Sequence, residues 1–366
     1  MTQAQALQIC PNDHPPFLEL CKGHAAALAK AGMTVDTVFL GAPRGARWDA
    51  ATYLDIERGT RSMIDALRRH CDGREYRLAV AHRYRAYQVV TRVRRTLGSP
   101  TIATIAHEFG MFARRRRRWR QRLVANDVYF AGVSQAVVDE MRRHHSRLTR
   151  TLVLPNPADV ERLDGARLLR AASRERLGIP QSAYAVGMVG RLHPEKRPLL
   201  ALEAFAAAGQ LPRDARLVLV GDGSLRAPLE SLASALGVES RVSFTGHLPD
   251  AARYMTAFDA LVFASGPTEA FGMALLEAMV AGVPVVCADM PGPRSVLGPD
   301  GMFFSGGAVA ELTSALERCA GMSDEARSEL CRAQRLRAER EFSLAAVAAI
   351  YRNLLSTDAA RRAGGS

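Results

Sequence analysis

Short apolar runs that stop at a polar loop and lead into a helical pattern constrain this chain more than any other feature. The clearest case runs from Asp259 to Pro284. Asp259 to Ser265 reads as a short buried strand, and Met273 to Ala281 reads as a helix closed by Gly282 and followed by Pro284. Between them lies Thr268-Glu269-Ala270-Phe271-Gly272-Met273-Ala274-Leu275-Leu276-Glu277. Glu269 is therefore expected on a strand-to-helix loop. Phe271, Gly272, Met273 and Ala274 are expected at a helix start, where backbone N–H groups and partial positive charge suit an anion. Glu277 falls in an otherwise apolar turn, about one and a half turns further on. A bare carboxylate there is costly, so it needs a partner. The plainer alternative is a helix with one acid at its head and one on its surface.

The same alternation recurs along the chain. Ala6 to Cys10, a Pro-Asn-Asp-His-Pro-Pro loop, a helix from Phe17 to Ala31 and a strand from Thr34 to Leu40 form one unit of a doubly wound sheet. Arg58 to His70 and Tyr87 to Leu97 read as helices. Leu78 to His82 and Thr101 to Ala106 read as strands. The first of these strands is followed by a loop with His82, Arg83, Tyr84 and Arg85, the second by His107, Glu108, Phe109 and Gly110. Loops at the carboxyl ends of such strands face the ligand cleft. Val128 to Ser134 runs into a helix, with Ser134 as its N-cap. A domain boundary is expected near residue 160. Beyond it, Ala171 to Leu177 reads as a helix, and Tyr184 to Gly190 is a strand leading into Arg191-Leu-His-Pro-Glu-Lys196. Leu199 to Ala208 is a helix. Arg216 to Gly223 is a strand whose Gly221 and Gly223 would let the backbone approach a ligand. Val242 to Pro249 carries His247 and Leu248, and Val283 to Ala288 is a further strand. Phe342 to Leu355 reads as an amphipathic helix, with disorder expected after about residue 357.

Composition narrows the classes. A chain of 366 residues is long enough for two domains, and 48% apolar with 23% charged residues suits a globular protein. The net charge of +12 is uneven: residues 61–150 hold 21 Arg, no Lys and seven acids, a local +14. Six scattered cysteines lack a Cys-x-x-Cys pair, which argues against a zinc or redox motif and for reduced thiols in the cytoplasm. The N-terminus has no signal segment and no apolar run approaches a membrane span, so any membrane contact is expected to be peripheral. Arg114, Arg115, Arg116, Arg117 and Arg118 form one run, flanked by Phe112 and Trp119. It suits a solvated helix, an anionic membrane surface or acceptor, or nucleic acid; no nucleic-acid motif supports the last.

Glu269 and Glu277, spaced Glu-x7-Glu with Phe-Gly after the first, resemble the donor-site motif of retaining GT-B glycosyltransferases of family GT4. The resemblance covers most of the chain. It implies an α/β fold of two doubly wound Rossmann-like domains facing a cleft, with the last helix crossing back to the first domain. Residues 1–160 plus 343–366 would form the acceptor-side domain, and 161–342 the nucleotide-sugar domain. Glu269 would bind donor-sugar hydroxyls, Phe271 to Ala274 the sugar and diphosphate, and Glu277 the ribose. Gly190 and Arg191, with Lys196 five positions after the Arg, resemble the segment that holds the diphosphate. Lys196 is one of only three lysines, with Lys22 and Lys30. Gly221 and Gly223 would lie at the donor, and His247 and Leu248 would read its base by backbone groups. Asp289 to Val296 resembles the family's late Gly-rich turn. His107 matches a His near the reacting sugar, with Glu108 where relatives carry Asp. The first loop departs from the family's Gly-Gly pair and leaves Asp13 and His14, with Glu108, Arg114 and Arg115, as candidate acceptor contacts.

The implied reaction is a metal-independent, configuration-retaining hexosyl transfer (EC 2.4). No Asp-x-Asp pair exists to hold a metal, and fixed cations stabilise the departing diphosphate instead. No cofactor is expected beyond the nucleotide-sugar, UDP-hexose by default. The acceptor is expected to be an anionic or lipid-linked glycan such as lipopolysaccharide core, met in the cytoplasm or at the inner membrane face, without nucleic acid. Two other classes stay in view. An oxidoreductase or epimerase would need Gly-x-Gly-x-x-Gly after the first strand. A non-catalytic basic protein that binds a nucleotide or a membrane has no need of Arg191, Lys196, Glu269 and Glu277 in this order.

Overall fold

A computed structural model describes residues 4–15, 17–45, 47–56, 59–114, 116–117, 128–145, 148–299 and 301–363. The chain divides into two compact units, Met1–Pro157 with Phe342–Ser366, and Ala158–Glu341.

The first unit is built on a parallel sheet ordered β3-β2-β1-β4-β5-β6-β7. Its strands are β1 (Ala4–Cys10), β2 (Met33–Phe39), β3 (Ala51–Tyr53), β4 (Leu78–His82), β5 (Thr101–Ala106), β6 (Val128–Gly132) and β7 (Thr151–Val153). Residues of β4, β5 and β6 are buried throughout, because helices cover both faces of a parallel sheet and leave no polar side. Helices α1 (Phe17–Lys30), α2 (Thr60–His70), α3 (Arg83–Val93) and α4 (Gln135–His144) do the covering. Ser134 caps α4, its hydroxyl accepting from the Val137 N–H.

The second unit carries a parallel sheet ordered β10-β9-β8-β11-β12-β13. The strands are β8 (Ala185–Val189), β9 (Arg216–Val220), β10 (Val242–Gly246), β11 (Ala260–Phe263), β12 (Val285–Ala288) and β13 (Met302–Phe304). Helices α5 (Val160–Ala166), α6 (Arg170–Leu177), α7 (Pro198–Ala207), α8 (Arg226–Ala235), α9 (Met273–Ala281), α10 (Pro291–Leu297), α11 (Val309–Ala320) and α12 (Asp324–Phe342) surround it. Leu202, Phe205, Leu312 and Leu316 are fully buried in one core cluster with Leu217 and Leu219. Each such side chain contributes about 1.5–3 kcal/mol. Gly178 and Gly282 end α6 and α9 in the left-handed conformation.

Three expectations change. Asp289 to Val296 is not a turn, because Pro291 opens the short helix α10. The segment after His82 is not a loop: α3 starts at once with Arg83, in the left-handed region at φ 66°. The tail is not disordered after residue 357. Helix α13 (Leu344–Ala363) continues because it has partners in the first unit. Tyr351 meets His24, buried Asp358 accepts from the Thr101 hydroxyl at 2.6 Å, and Arg352 donates to the Lys30 carbonyl.

Both sheets have the same reversal of strand order, between β1 and β4 in one and between β8 and β11 in the other. Ligands bind outside the carboxyl ends of strands at such points. The second is held by a buried charge. The guanidinium of Arg174, 1% exposed, pairs with Asp259 just before β11 and donates to the carbonyls of Ala257, Pro180 and Gln181. Asp259 also accepts the Ala185 N–H that opens β8. Asp259→Ala would leave the guanidinium buried without its anion, and urea unfolding should report a loss of about 3–5 kcal/mol.

Candidate active site

The strand reversal of the second unit brings the two motifs of that half together. Gly190 directly follows β8, and Arg191 comes next, largely exposed, with only a loose 3.8 Å contact to Glu195. Pro194 to Lys196 make one 3-10 turn, capped by the His193 ring. The Lys196 ammonium then forms an ion pair with Glu269, which lies on the loop between β11 and α9. It also sits 5.7 Å from the Phe263 ring centroid at the end of β11. A backbone bond from Gly266 N–H to the Glu195 carbonyl, 2.8 Å, joins the same two segments. Lysine and carboxylate are both partly buried, so solvent screens this pair less than a surface one.

Gly272 opens α9 at φ 101°, and a Cβ there would lie 2.8 Å from the Phe263 ring. Phe271 is buried beside it, while Met273 and Ala274, in the first turn, keep partial exposure. Glu277 is half-buried and has no hydrogen bond or ion pair among the described residues. Burial pushes its carboxyl up to about 7; Arg162 opposes the rise and Asp250 adds to it.

Gly221 and Gly223 lie against the chain's own backbone. A Cβ on Gly221 would stand 1.9 Å from the Gly190 carbonyl oxygen, and one on Gly223 would stand 2.4 Å from that of Leu192. Their close neighbour is the cationic turn. Gly221 N–H also donates to Gly246 at the end of β10, so His247, exposed, and Leu248 follow directly beside this turn.

One residue escaped the sequence reading. Arg197 is held in the left-handed region at φ 52°, and its Nη1 is buried without a hydrogen-bond partner among the described residues. Its guanidinium lies beside Gly266 and Gly306, in the loops that follow β11 and β13. Strain and an unpaired donor in one residue make Arg197 a candidate for the site. The only signal in the sequence was its place between Lys196 and Pro198.

In the first unit, His107 directly follows β5 with both ring nitrogens engaged. Nε2 is 2.9 Å from His82 Nδ1, and Nδ1 is 3.1 Å from Asn156 Oδ1. His107 and the exposed Glu108 line a hollow of about 340 Å³ with Asn12, Arg83, Tyr84 and Arg117. Asp13 is buried and accepts the Arg44 N–H with both oxygens, beside a second hollow of about 550 Å³ lined by Glu19, Lys22 and Trp48. His14 is exposed and its carbonyl accepts from the Phe17 N–H at the start of α1.

The arginine run does not present a uniform outer face. Arg114 is exposed, but Arg117 turns inward, 4.3 Å from the Tyr84 ring and donating to the Met111 carbonyl. Phe112, which flanks the run, is fully buried against Phe130. Arg115, and residues 118 to 124 with Trp119, lie outside the described residues. No helix among the described residues is long and apolar enough to cross a membrane.

Residues 170–333 match the family model described as Glycosyl transferases group 1. This stretch is similar to the group 1 glycosyltransferases. It contains the cationic turn, Glu269, Gly272 and Glu277. The 2-deoxystreptamine glucosyltransferase of Streptomyces kanamyceticus is 34% identical over 171 residues, 45% of this chain and 44% of that protein. The D-inositol 3-phosphate glycosyltransferase of Geodermatophilus obscurus is 36% identical over 208 residues, 53% of this chain and 44% of that protein. The chain thus spans about half the length of the curated relatives it matches. HepE of Anabaena, in complex with UDP and glucose, shares the fold with a TM-score of 0.78 at 19% identity, over 97% of this chain and 100% of that one. The fold is that of the GT-B glycosyltransferases.

Glu277 supplies a pH test of the second unit. Its folded pKa is raised, so its favourable contribution is complete below the unfolded value near 4.5 and is lost as pH rises through about 7. Denaturant unfolding between pH 5 and 8 should show a loss of about 1–3 kcal/mol that Glu277→Gln abolishes.

Proposed function

We propose that this chain is a retaining hexosyltransferase that uses a nucleoside-diphosphate sugar, UDP-hexose by default. The observation that carries the reading is the Lys196–Glu269 pair at the strand reversal. It joins a diphosphate-binding turn to a sugar-binding loop within one domain, and that domain matches the group 1 family.

The chemistry follows from charge. As the glycosidic bond breaks, the nucleoside diphosphate gains negative charge. Arg191 and Lys196 stabilise that charge more in the transition state than in the ground state. The head of α9 adds the partial positive charge of a helix start. Glu269, steadied by Lys196, orients donor-sugar hydroxyls. Glu277 accepts hydroxyls of the ribose; an unpartnered carboxyl with a raised pKa suits that role, because a ligand hydroxyl gives it the partner it lacks. His247 and Leu248 meet the base through backbone groups. No side chain serves as nucleophile. The acceptor hydroxyl attacks from the face the diphosphate leaves, and a donor phosphate oxygen takes its proton. The diphosphate is neutralised by side chains and helix, so the reaction needs no metal ion.

For the acceptor we propose an anionic polyhydroxylated molecule. The +14 segment of residues 61–150 supports this, as does the likeness to a D-inositol 3-phosphate glycosyltransferase. Lipopolysaccharide core, with peripheral contact to the inner membrane face, is the lipid-linked member of that class.

The test is a thermal-shift panel of nucleotide-sugars followed by product assay. One nucleotide-sugar should stabilise the protein, and Glu277→Ala should remove most of the shift. Lys196→Ala should lower kcat/KM by about 10²–10³-fold, and EDTA should leave the rate unchanged. Absence of any stabilising nucleotide-sugar, or full activity in Lys196→Ala, would overturn the reading.

A further inference from the structure

Three imidazoles meet in the first unit. His24 on α1, His82 at the end of β4 and His107 directly after β5 bring ring nitrogens within 4.8 Å of one another. His24 is fully buried and its Nε2 has no hydrogen-bond partner among the described residues. Its Nδ1 meets the Tyr351 hydroxyl at 2.9 Å. Such a trio invites a metal, and the hydrogen bonds decide against it.

The decision comes from Gln8, fully buried on β1. Its Nε2 is 2.9 Å from the Cys21 carbonyl, which can only accept, and its Oε1 takes the Thr37 hydroxyl at 3.1 Å. The amide orientation is therefore set. The same Nε2 is 3.0 Å from His82 Nε2, so that ring nitrogen accepts. Neutral His82 then carries its proton on Nδ1 and donates it to His107 Nε2. Neutral His107 carries its own proton on Nδ1 and donates to Asn156 Oδ1. A metal bound by all three rings would need a lone pair of His82. That of Nε2 is taken by the Gln8 N–H, and freeing that of Nδ1 would move the proton onto Nε2, where the same N–H points.

We propose that Gln8, acting through His82, is a positioning residue that fixes His107 in the Nδ1–H tautomer, so that His107 Nε2 carries a lone pair and no proton. The wiring runs one way through the sheet, from β1 to β4 to β5. The rings stay uncharged because burial lowers the basicity of all three, with His24 falling to about 3. The other groups whose charge bears on His107 are His24 from α1 and Arg83 at the head of α3, and both oppose an imidazolium. That this edge faces a sugar rests on the proposed function; the tautomer does not.

Nitrogen NMR of the imidazoles tests the tautomer directly on the full-length protein. At pH 7, His107 should show a protonated Nδ1 and an unprotonated Nε2. A protonated Nε2 in the wild type would overturn the proposal. Gln8→Glu replaces the donor by an acceptor. His82 must then protonate Nε2 and accept at Nδ1, so neutral His107 carries its proton on Nε2 and the Asn156 amide turns to donate to Nδ1. The expected result is an Nε2-protonated His107 at pH 7, the opposite tautomer to that of the wild type. An unchanged His107 signal in folded Gln8→Glu would equally defeat it. If that variant does not fold, the wild-type spectrum still decides. If the tautomer is as stated but no nucleotide-sugar is turned over, the proposed function fails and the positioning role stands.

Discussion

Parallel strands need both faces covered, and that constraint governs where this protein can do chemistry. Once helices occupy the two faces of each sheet, polar side chains are confined to strand ends. In both units the strand order reverses once, and the chains part there to leave room outside the carboxyl edge. Lys196, Glu269 and the head of α9 gather at one reversal; Asn12, Asp13, Arg83 and the end of β4 gather at the other.

The two reversals are electrically unlike. In the second unit, cations predominate and are only partly compensated. Lys196 has Glu269, Arg191 has a loose contact, and Arg197 has a buried nitrogen with no acceptor among the described residues. In the first unit, imidazoles are stacked in a buried cluster that burial keeps neutral. One environment suits a diphosphate that gains charge as it leaves. The other suits orientation of uncharged hydroxyls by hydrogen bonds of fixed direction.

Two arginines carry backbone strain in matching places. Arg83 follows β4 at φ 66° and Arg197 precedes α7 at φ 52°, each at the head of a helix beside a strand reversal. The left-handed region costs an ordinary residue about 1–2 kcal/mol. Arg83 recovers part of this by stacking on Phe17 at 4.2 Å. Neither strain was visible beforehand, because backbone angles depend on how strand and helix must join.

Much of the architecture was legible because its signals are local. Thr101 to Ala106 is a strand with the predicted ends, and Gly178, Gly282 and Ser134 terminate or cap helices as their chemistry dictates. The spacing from Glu269 to Glu277 and from Arg191 to Lys196 was likewise a property of sequence. Tertiary contact decided the rest. It set Lys196 against Glu269 across more than seventy residues, filled the space beside Gly221 with the turn at Gly190, and drew Phe112 inward. It also extended α13 by giving Asp358 to Thr101, and it committed both nitrogens of His107 to His82 and Asn156. Periodicity and capping act over a few residues and can be read along the chain. Ion pairs, imidazole tautomers and the room beside a glycine depend on which distant segments the folded sheet makes neighbours.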